Sequence, residues 1–395
     1  MPDTPRPTTP AAYWRCPACD TPNPAAPYVT TCLGCGKPRP RSAVGAAADA
    51  PFIPSSTPAW GKAVWALSWA YAGVVLAALG LIRWVGDGWW GVTLLLFMPR
   101  WAFLAPLAPL AAASGLARGY RHWAVQGATA LVVAGPLMAV SLPVASLWSS
   151  PPPGLPVRVV TFNMGQSPID VPAFGRWVSD VGADVVFMQE GRRDDPRLVA
   201  FLAHGWHLNR LKSIATRFPI VADLESLPQA YESEERYSSA VDRVRVKTQN
   251  GTEFVLVSVH LPTLRLGLQR ALRGDAAGLK LHAEWWGREM GRTLSLLARD
   301  ADSPMIVGGD FNMPDDDATM AALRSSFRFA FEEAGWGYGY TRPANYPWVR
   351  IDHLLCGPEW SVSWCRRGPH LGSDHLPLAA EFVLPKGLSP PKAGG

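Results

Sequence analysis

Six short segments each place an Asn, Asp, Glu or His at or just past the end of an apolar run. They are TFNMG (161–165), MQE (188–190), SVHLP (258–262), GGDFN (308–312), IDH (351–353) and GSDH (372–375). Side chains at strand ends can converge on one pocket although they are far apart in sequence. These residue types bind divalent cations, move protons and hold phosphate oxygens. The set therefore predicts a hydrolytic centre that acts on phosphate.

The first four candidates suit metal binding and water activation. Glu190 closes the run DVVFMQE and is the best candidate ligand for Mg²⁺, which prefers oxygen. Asn163 offers either a neutral oxygen or an amide donor beside it. Asp310 and Asn312 are two residues apart, so both can face the same side of an extended segment. There Asp310 could orient or deprotonate water, and Asn312 could hold a phosphate oxygen.

The last two segments suit proton transfer. His375 and Asp374 stand at the start of an apolar run, where a histidine could protonate a leaving oxygen or stabilise transition-state charge. Asp352 could hold His375 in one tautomer. A turn cap or a core histidine would explain each segment alone, but the joint occurrence of all six favours catalysis.

Four cysteines near the N-terminus form two C-x2-C pairs separated by twelve residues, which predicts a four-thiolate Zn²⁺ site of Cys16, Cys19, Cys32 and Cys35. A pair of disulfides is the alternative. Two further cysteines, Cys356 and Cys365, could pair on the oxidising side of a membrane or remain free buried thiols.

Apolar runs occupy residues 61–148 and predict three membrane spans, at about 63–85, 99–117 and 123–148. Roughly 20 apolar residues cross a bilayer as a helix. Nine of the chain's 18 Trp lie between residues 60 and 148, and Trp favours the membrane boundary. Arg100 is expected to snorkel to that boundary. The alternative is the buried helical core of a soluble domain.

Basic residues precede the first span and separate the second from the third, namely Lys37, Arg39, Arg41, Lys62, Arg118 and Arg121. The positive-inside rule then predicts a cytoplasmic cysteine module and an extracytoplasmic C-terminal domain. The net charge of +5 suits an anionic substrate or lipid headgroups and does not require nucleic acid.

The remaining pattern divides the chain into segments. Short β-rich runs alternate with helical stretches at about 170–181 and 281–299, which indicates a mixed α/β or α+β domain. The predicted order is a disordered start (1–12), a cysteine module (13–40), a linker (41–60), a membrane region (61–148), a linker (149–156), a catalytic domain (157–385) and a tail (386–395).

The six segments, in this order, resemble the endonuclease/exonuclease/phosphatase superfamily. The resemblance implies an α+β fold, a two-sheet sandwich flanked by helices in four layers (α/β/β/α), and Mg²⁺- or Mn²⁺-dependent phosphoester hydrolysis. It implies that Glu190 binds the metal near Asn163, and that Asp374 assists with metal or phosphate. Asp310 would activate water, Asn312 would contact phosphate, and His375 would act as acid with Asp352 orienting it. His260 matches a second active-site histidine.

Two further resemblances concern the cysteine module and the apolar region. Trp14 and Asn23 resemble the Ran-binding-protein-2 type zinc finger, although a generic zinc ribbon fits as well; such fingers bind RNA, ubiquitin or other proteins. The apolar region before the hydrolase domain resembles bacterial membrane-anchored members of the superfamily.

The sequence thus predicts a membrane-anchored phosphoesterase that attacks a phosphate ester or anhydride with water, and a lipid-linked phosphate is the favoured substrate. Two alternatives stay open. One is a divalent-metal nuclease acting on DNA or RNA. The other is a non-catalytic binding protein whose finger recruits a partner.

Overall fold

The computed structural model of the chain describes residues 13–24, 29–38, 59–86, 89–117, 120–148, 152–165, 168–191, 195–231 and 238–386. The predicted disordered start and the tail after residue 386 lie outside these residues, as do residues 41–58 and 149–151 of the two predicted linkers. The chain divides into two compact units, Met1–Ala59 and Trp60–Gly395.

The first unit contains a small hairpin and the turns that carry the cysteines. Strands β1 (Tyr13–Arg15) and β2 (Pro22–Pro24) pair antiparallel, with Trp14 opposite Asn23. The side chains of Trp14, Cys16 and Cys32 are buried together. This core is very small, as expected for a module whose folding depends on a further stabilising element.

The second unit begins with apolar helices. They are α1 (Ala59–Trp84), α2 (Trp90–Phe97), a 3-10 turn (Arg100–Leu104), α3 (Leu107–Leu116), α4 (Tyr120–Val132), a π-helical turn (Val133–Leu137) and a 3-10 turn (Val144–Leu147). Buried residues of α1 recur at intervals of three, four or seven, at Val64, Ser68, Val75, Ala78 and Ile82. One stripe of α1 therefore packs on the protein and its other sides are exposed.

Of the three predicted spans, only the first, at about 63–85, coincides with a single long apolar helix among the described residues. Among the described residues, α1 is long and apolar enough to cross a membrane, and a second crossing exists only if α2 and the segment Arg100–Leu116, bent by 89°, count as one. The predicted span at 123–148 is not one helix. The chain leaves the π-helical turn after Leu137, and Ser141 then exchanges two backbone hydrogen bonds with Gly337.

Two mixed β-sheets form the rest of the second unit, as predicted. The first sheet has the order β14-β15-β3-β4-β6-β5, and the second has the order β12-β13-β11-β10-β9-β7 with β8 also paired to β9. Among the described strands, β3 pairs parallel with β4 and β10 pairs parallel with β11, and the other strand pairs are antiparallel. The strands are β3 (Gly154–Asn163), β4 (Val185–Gln189), β5 (His207–Leu208), β6 (Ile214–Thr216), β7 (Ile220–Asp223), β8 (Leu227–Tyr231), β9 (Ser238–Lys247), β10 (Glu253–His260), β11 (Met305–Asp310), β12 (Arg328–Phe329), β13 (Asp352–Cys356), β14 (Ser361–Arg367) and β15 (Leu378–Pro385).

Six helices accompany the sheets, namely α5 (Val171–Val181), α6 (Pro196–Leu202), α7 (Arg265–Leu272), α8 (Ala276–Leu297), α9 (Ala321–Arg324) and α10 (Ala330–Ala334). Helix α5 matches the predicted helix, and Asp170 caps it by accepting a hydrogen bond from the backbone of Ala173. Helix α8 begins five residues earlier than predicted because Asp275 caps it at Gly278.

Three apolar clusters hold the layers together. One lies between the sheets, one lies between the first sheet and α5 and α6, and one covers the outer face of the second sheet. Strand β10 alternates between them: Phe254 and Leu256 face the first sheet, while Val255 and Val257 face outward. The outer cluster includes Trp286 of α8 and also residues of α1, α2 and the π-helical turn, so the apolar helices share one apolar core with the outer face of the second sheet.

A buried ion pair joins the apolar helices to the loop that follows β11. Arg100 does not snorkel as predicted; its guanidinium contacts both carboxylate oxygens of Asp316, at 2.5 and 3.1 Å, and donates to the carbonyls of Leu96 and Leu137. Both side chains are about one-twentieth exposed. Arg100 points into the protein because the Asp316 carboxylate and two backbone carbonyls accept its hydrogen bonds there.

The downstream cysteines are free and buried. Burial raises the pKa of the Cys356 thiol to about 12 and also raises that of Cys365. Neither thiol is therefore ionised at neutral pH.

We expect Arg100→Met to lower the free energy of unfolding by about 3–5 kcal/mol, because the Asp316 carboxylate would stay buried without its partner. The double variant Arg100→Met/Asp316→Leu removes both charges and should be more stable than the single variant. Unfolding of the detergent-purified full chain measures both. A double variant that is no more stable than Arg100→Met would show that the charge pair is not what matters.

Candidate active site

The two parallel strand pairs, one from each sheet, bring the predicted residues to one edge of the sandwich. Asn163 ends β3 and Glu190 directly follows β4 in the first sheet. His260 ends β10 and Asp310 ends β11 in the second sheet, where Asp352 of β13 lies opposite Asp310. The carboxyl ends of parallel strands meet at the same edge, which is why these distant segments converge.

The Asn163 amide bridges the two sheets. Its nitrogen donates to Glu190 at 3.1 Å and to Asp310 at 2.9 Å, and its oxygen accepts the backbone N–H of Gly165 at 2.9 Å. The Gly165 contact fixes which end of the amide faces the carboxylates. The sequence left two options for Asn163, a neutral oxygen ligand or an amide donor. In this geometry its side chain is an amide donor to the two carboxylates.

Asp352, His375 and Asp310 form a buried chain. His375 Nδ1 lies 2.9 Å from Asp352 Oδ2, and its Nε2 lies 3.8 Å from Asp310 Oδ2. Burial lowers the pKa of His375, but the charges of Asp352 and Asp310 outweigh it and raise this pKa to about 9. Burial and the charge of Asp352 raise the pKa of Asp310. At neutral pH the imidazole is therefore cationic, with Nε2 directed toward Asp310.

Glu190 and His260 form a second pair, with Oε1 and Nε2 3.3 Å apart. Burial opposes ionisation of Glu190, but His260 and the Asn163 amide outweigh it and lower the pKa of Glu190 to about 2. The Glu190 side chain is one-third exposed, whereas Asp310 is buried. Glu190 is thus an ionised carboxylate that a solvent cation can reach.

The backbone next to Asp310 requires glycine at the preceding position. Gly309 has φ +155°, and a β-carbon there would lie 1.8 Å from the carbonyl oxygen of Val259. After Asp310 the chain turns sharply, because Asn312 has φ +51° and its backbone N–H bonds Asp310 Oδ1 at 2.8 Å. The Asn312 amide also donates to the carbonyl of Leu261 at 2.8 Å. These contacts leave Asp310 Oδ2 as the oxygen that faces Asn163 and His375.

Asp374 has a different partner from the other predicted ligands. Its carboxylate lies 2.7 Å from the Arg342 guanidinium, and its side chain is half exposed. Arg342 lies close enough for its charge to act on both Asp310 and His375. Sequence analysis missed Arg342, because it lies in a loop segment, YTRP, that lacks the strand-end pattern of the six segments.

Two other residues of the six segments, Gln189 and His353, make contacts next to the site. Gln189 links the sheets by accepting from Thr161 at 3.3 Å and donating to Ser258 at 3.1 Å. His353 of the IDH segment lies beside Asp352 but contacts the carbonyl of Met313 at 2.8 Å between aromatic rings. His353 therefore has a packing role, while Asp352 faces the site.

The donor set fits a hard divalent cation. Glu190, Asp310 and Asp352 bring three carboxylates to one edge, and carboxylate oxygens of Asp310 and Asp352 lie within 4.8 Å of one another. Oxygen donors of this kind suit Mg²⁺ or Mn²⁺ rather than softer metals.

The four N-terminal cysteines also converge. The sulfurs of Cys16 and Cys35 are 3.7 Å apart, and those of Cys19 and Cys32 are 3.5 Å apart. A tetrahedral Zn²⁺ site with bonds of about 2.3 Å separates its sulfurs by about 3.8 Å, whereas a disulfide requires about 2.05 Å. Buried Asn23 donates to the Cys32 sulfur and accepts from the backbone of Leu33, so it orients the second cysteine pair.

The comparison with known proteins agrees with this architecture. Residues 160–375, more than half of the chain, match the Endonuclease/Exonuclease/phosphatase family. The chain therefore belongs to this family and is a hydrolase that acts on phosphoester bonds. No curated protein matches the chain.

Several solved structures are similar in fold. An endonuclease/exonuclease/phosphatase family protein from Bacteroides thetaiotaomicron is 15% identical, with 59% of this chain and 99% of that chain covered and a TM-score of 0.44. Mannosyl-6-phosphatase Bt3783 from Bacteroides thetaiotaomicron VPI-5482 is 16% identical (57% and 99% covered, TM-score 0.45). Truncated TDP2 from Caenorhabditis elegans is 17% identical (58% and 98% covered, TM-score 0.43).

We expect Asp310→Asn to reduce kcat for phosphoester hydrolysis by at least about 100-fold, because the amide cannot accept a proton from water. The variant keeps the size of the side chain, so the unfolding temperature should change little. Asp223→Asn, at the end of β7 and outside the cluster, is the matched control and should retain activity. Equal activity of Asp310→Asn and the control would contradict the role of Asp310.

Proposed function

We propose that this protein is a membrane-associated, divalent-metal-dependent phosphoesterase that attacks a phosphate ester or anhydride with water. The observation that carries the proposal is the shared edge where Asn163 holds Glu190 and Asp310 together beside the His375–Asp352 pair. A carboxylate acceptor, Asp310, and an imidazolium donor, His375, lie side by side at this edge, and both groups serve hydrolysis by water.

In this proposal Asp310 Oδ2 accepts the proton of a water whose oxygen bonds to phosphorus. His375, held cationic by Asp352, directs Nε2–H at the phosphate and stabilises the charge that develops there. The proton that leaves His375 can pass to the departing oxygen as its bond to phosphorus breaks. Asn312 and His260 contact phosphate oxygens. A bound Mg²⁺ or Mn²⁺ would neutralise phosphate charge and stabilise the leaving oxygen.

Glu190 is the residue that we propose as the main metal ligand, because it is ionised and partly exposed. Asn163 orients the two carboxylates through its amide nitrogen. Asp374 positions the Arg342 guanidinium at the rim of the site, where a cation favours an anionic substrate.

Association with a membrane is supported by the surface of the apolar helices. The most apolar 18-residue window of α1 is only 22% buried, unlike the core helix of a soluble protein, and at 26 residues α1 is ~39 Å long, enough to cross a bilayer. Eighteen of the 26 exposed large apolar side chains among the described residues lie between Trp60 and Trp148. Inside the bundle, Gln126 donates to Ser68 and Ser114, the kind of polar contact that joins helices in lipid.

The proposed arrangement places the cysteine module in the cytoplasm and the catalytic domain outside, as the basic residues before α1 favour. A lipid-linked phosphate is the proposed substrate, since the second sheet and the apolar helices share one apolar core. The cysteine module is proposed to hold Zn²⁺ and to bind a protein or RNA.

A substrate panel tests the function. We expect the full chain with Mg²⁺ to hydrolyse lipid phosphates or a bis-phosphate ester faster than duplex DNA or RNA, and EDTA to abolish the activity because Glu190 would lose its cation. Asp310→Asn is the negative control. Activity confined to DNA or RNA would refute the lipid substrate and support a nuclease, while activity unaffected by EDTA would refute the metal.

The zinc proposal has a separate test. Purified chain should contain about one Zn²⁺ per molecule by elemental analysis, and Cys32→Ser should lower this content and unfold residues 13–38. Cys356→Ser, which changes a buried free thiol elsewhere, should leave the zinc content unchanged. Full retention of zinc by Cys32→Ser would show that the metal binds elsewhere.

A further inference from the structure

A groove opens where the apolar helices meet the catalytic layers. It encloses about 770 Å³ and is lined mainly by aromatic and basic side chains, including Trp101, Trp336, Tyr340, Trp364, Arg366 and Arg367. Trp101 comes from the helical region, the residues from Trp336 to Tyr340 come from the loop after α10, and the last three belong to β14. Glu190, Asp310 and His375 do not line it, so it is distinct from the hydrolytic centre.

The groove is held in shape by contacts that cross the junction. The Tyr340 hydroxyl donates to the carbonyl of Met138 at 2.7 Å, and the Tyr338 and Tyr340 rings stack with centroids 5.2 Å apart. The Arg367 guanidinium donates to the carbonyl of Tyr340 at 3.1 Å. Because its walls are already fixed, a ligand would bind with little loss of protein entropy.

The groove is electropositive. Arg366 stacks over the Trp364 ring, with its guanidinium carbon 4.8 Å from the ring centroid, and both Arg366 and Arg367 are exposed. The described residues that line the groove include no carboxylate. Acidic side chains on the adjoining elements are paired with other arginines: Glu332 with Arg324, Glu333 with Arg328 and Glu381 with Arg158. The two guanidiniums therefore have no acidic partner there and remain available to an anion.

The composition and place of the groove suit a membrane–water interface. The groove begins at Met138, where the chain leaves the last helical turn beside α1, and half-exposed Trp101 and Trp336 stand at its rim. Tryptophans with arginines at the end of an apolar helix bundle are the composition of a membrane–water interface.

We propose that this groove binds the anionic headgroup of a membrane lipid, with its phosphate on Arg366 and Arg367 and its glycerol and first methylenes against the aromatic side chains. The inference rests on the proposed membrane association. It goes beyond that function by assigning a second, non-catalytic lipid site, which would hold the catalytic edge at a fixed height above the headgroups.

The test uses the full chain carrying Asp310→Asn, so that no bound lipid phosphate is hydrolysed. Flotation with phosphatidylcholine vesicles first measures membrane association. Binding of short-chain phosphatidic acid, short-chain phosphatidylcholine and inorganic phosphate to the detergent-purified chain then measures the groove. We expect phosphatidic acid to bind most tightly. Adding Arg366→Gln/Arg367→Gln should weaken its binding at least about tenfold, because two charge-assisted contacts are lost.

Three controls make the result specific. Arg366→Lys/Arg367→Lys keeps the charge and should retain most of the binding. Lys280→Gln/Arg210→Gln removes two exposed cations outside the groove and should bind like the parent. Arg366→Gln alone, whose guanidinium contacts only the Trp364 ring, serves if the double glutamine variant does not fold, and its binding should weaken in the same direction.

Equal binding of the two lipids, or unchanged binding by the glutamine variants, would overturn the proposal. Inorganic phosphate that binds as tightly as phosphatidic acid would replace the lipid by free phosphate and also overturn it. A chain that floats with vesicles yet shows no headgroup preference would refute the groove alone. A chain that does not float would refute the membrane association on which the groove depends.

Discussion

The Asn163 amide is the contact on which the catalytic edge depends, because it lies between carboxylates from different sheets. Glu190 and Asp310 would repel one another at this spacing, and each receives one hydrogen of the same NH₂ group. The Asn163 amide therefore fixes the distance between the Glu190 and Asp310 carboxylates at this edge of the two sheets. Gln189 makes a similar neutral link beneath, to Thr161 and Ser258. The orientation of Asp310 toward His375 follows from this spacing.

A second set of charges fixes the loop after Asn312. Asp315 pairs with Arg350, two residues before Asp352, and Asp316 pairs with Arg100 from the helical region. Both pairs are buried, so each carboxylate would be costly without its arginine. One ion pair therefore holds the loop after Asp310 to the segment that precedes β13, and the other holds it to the apolar helices. Buried ion pairs thus connect the apolar helices to the loop that follows Asp310.

The sequence was sufficient to predict the two sheets and the convergence of most candidate residues. Apolar runs that end in polar residues indicate both a strand and a shared edge. Asp310, Asp352 and His375 meet as expected, because strand register decides their positions. The direction of Arg100 could not be predicted, since a lone arginine between apolar runs suits a membrane boundary as well as a buried partner that is 216 residues away. Arg342 was missed because a loop, not a strand end, brings it to Asp374.

The apolar core that α1 shares with the second sheet has a consequence for the stability of the protein. Val75 and Ile82 of α1 occupy the same apolar cluster as Val255 and Val257 of β10. The helices thus supply part of the enzyme's own interior, and a protease cut after residue 148 would uncover an apolar face instead of releasing a self-sufficient hydrolase. The apolar helices and the two sheets therefore fold as one unit. Inherited changes in α1 act on the hydrolase interior as directly as changes in the sheet do.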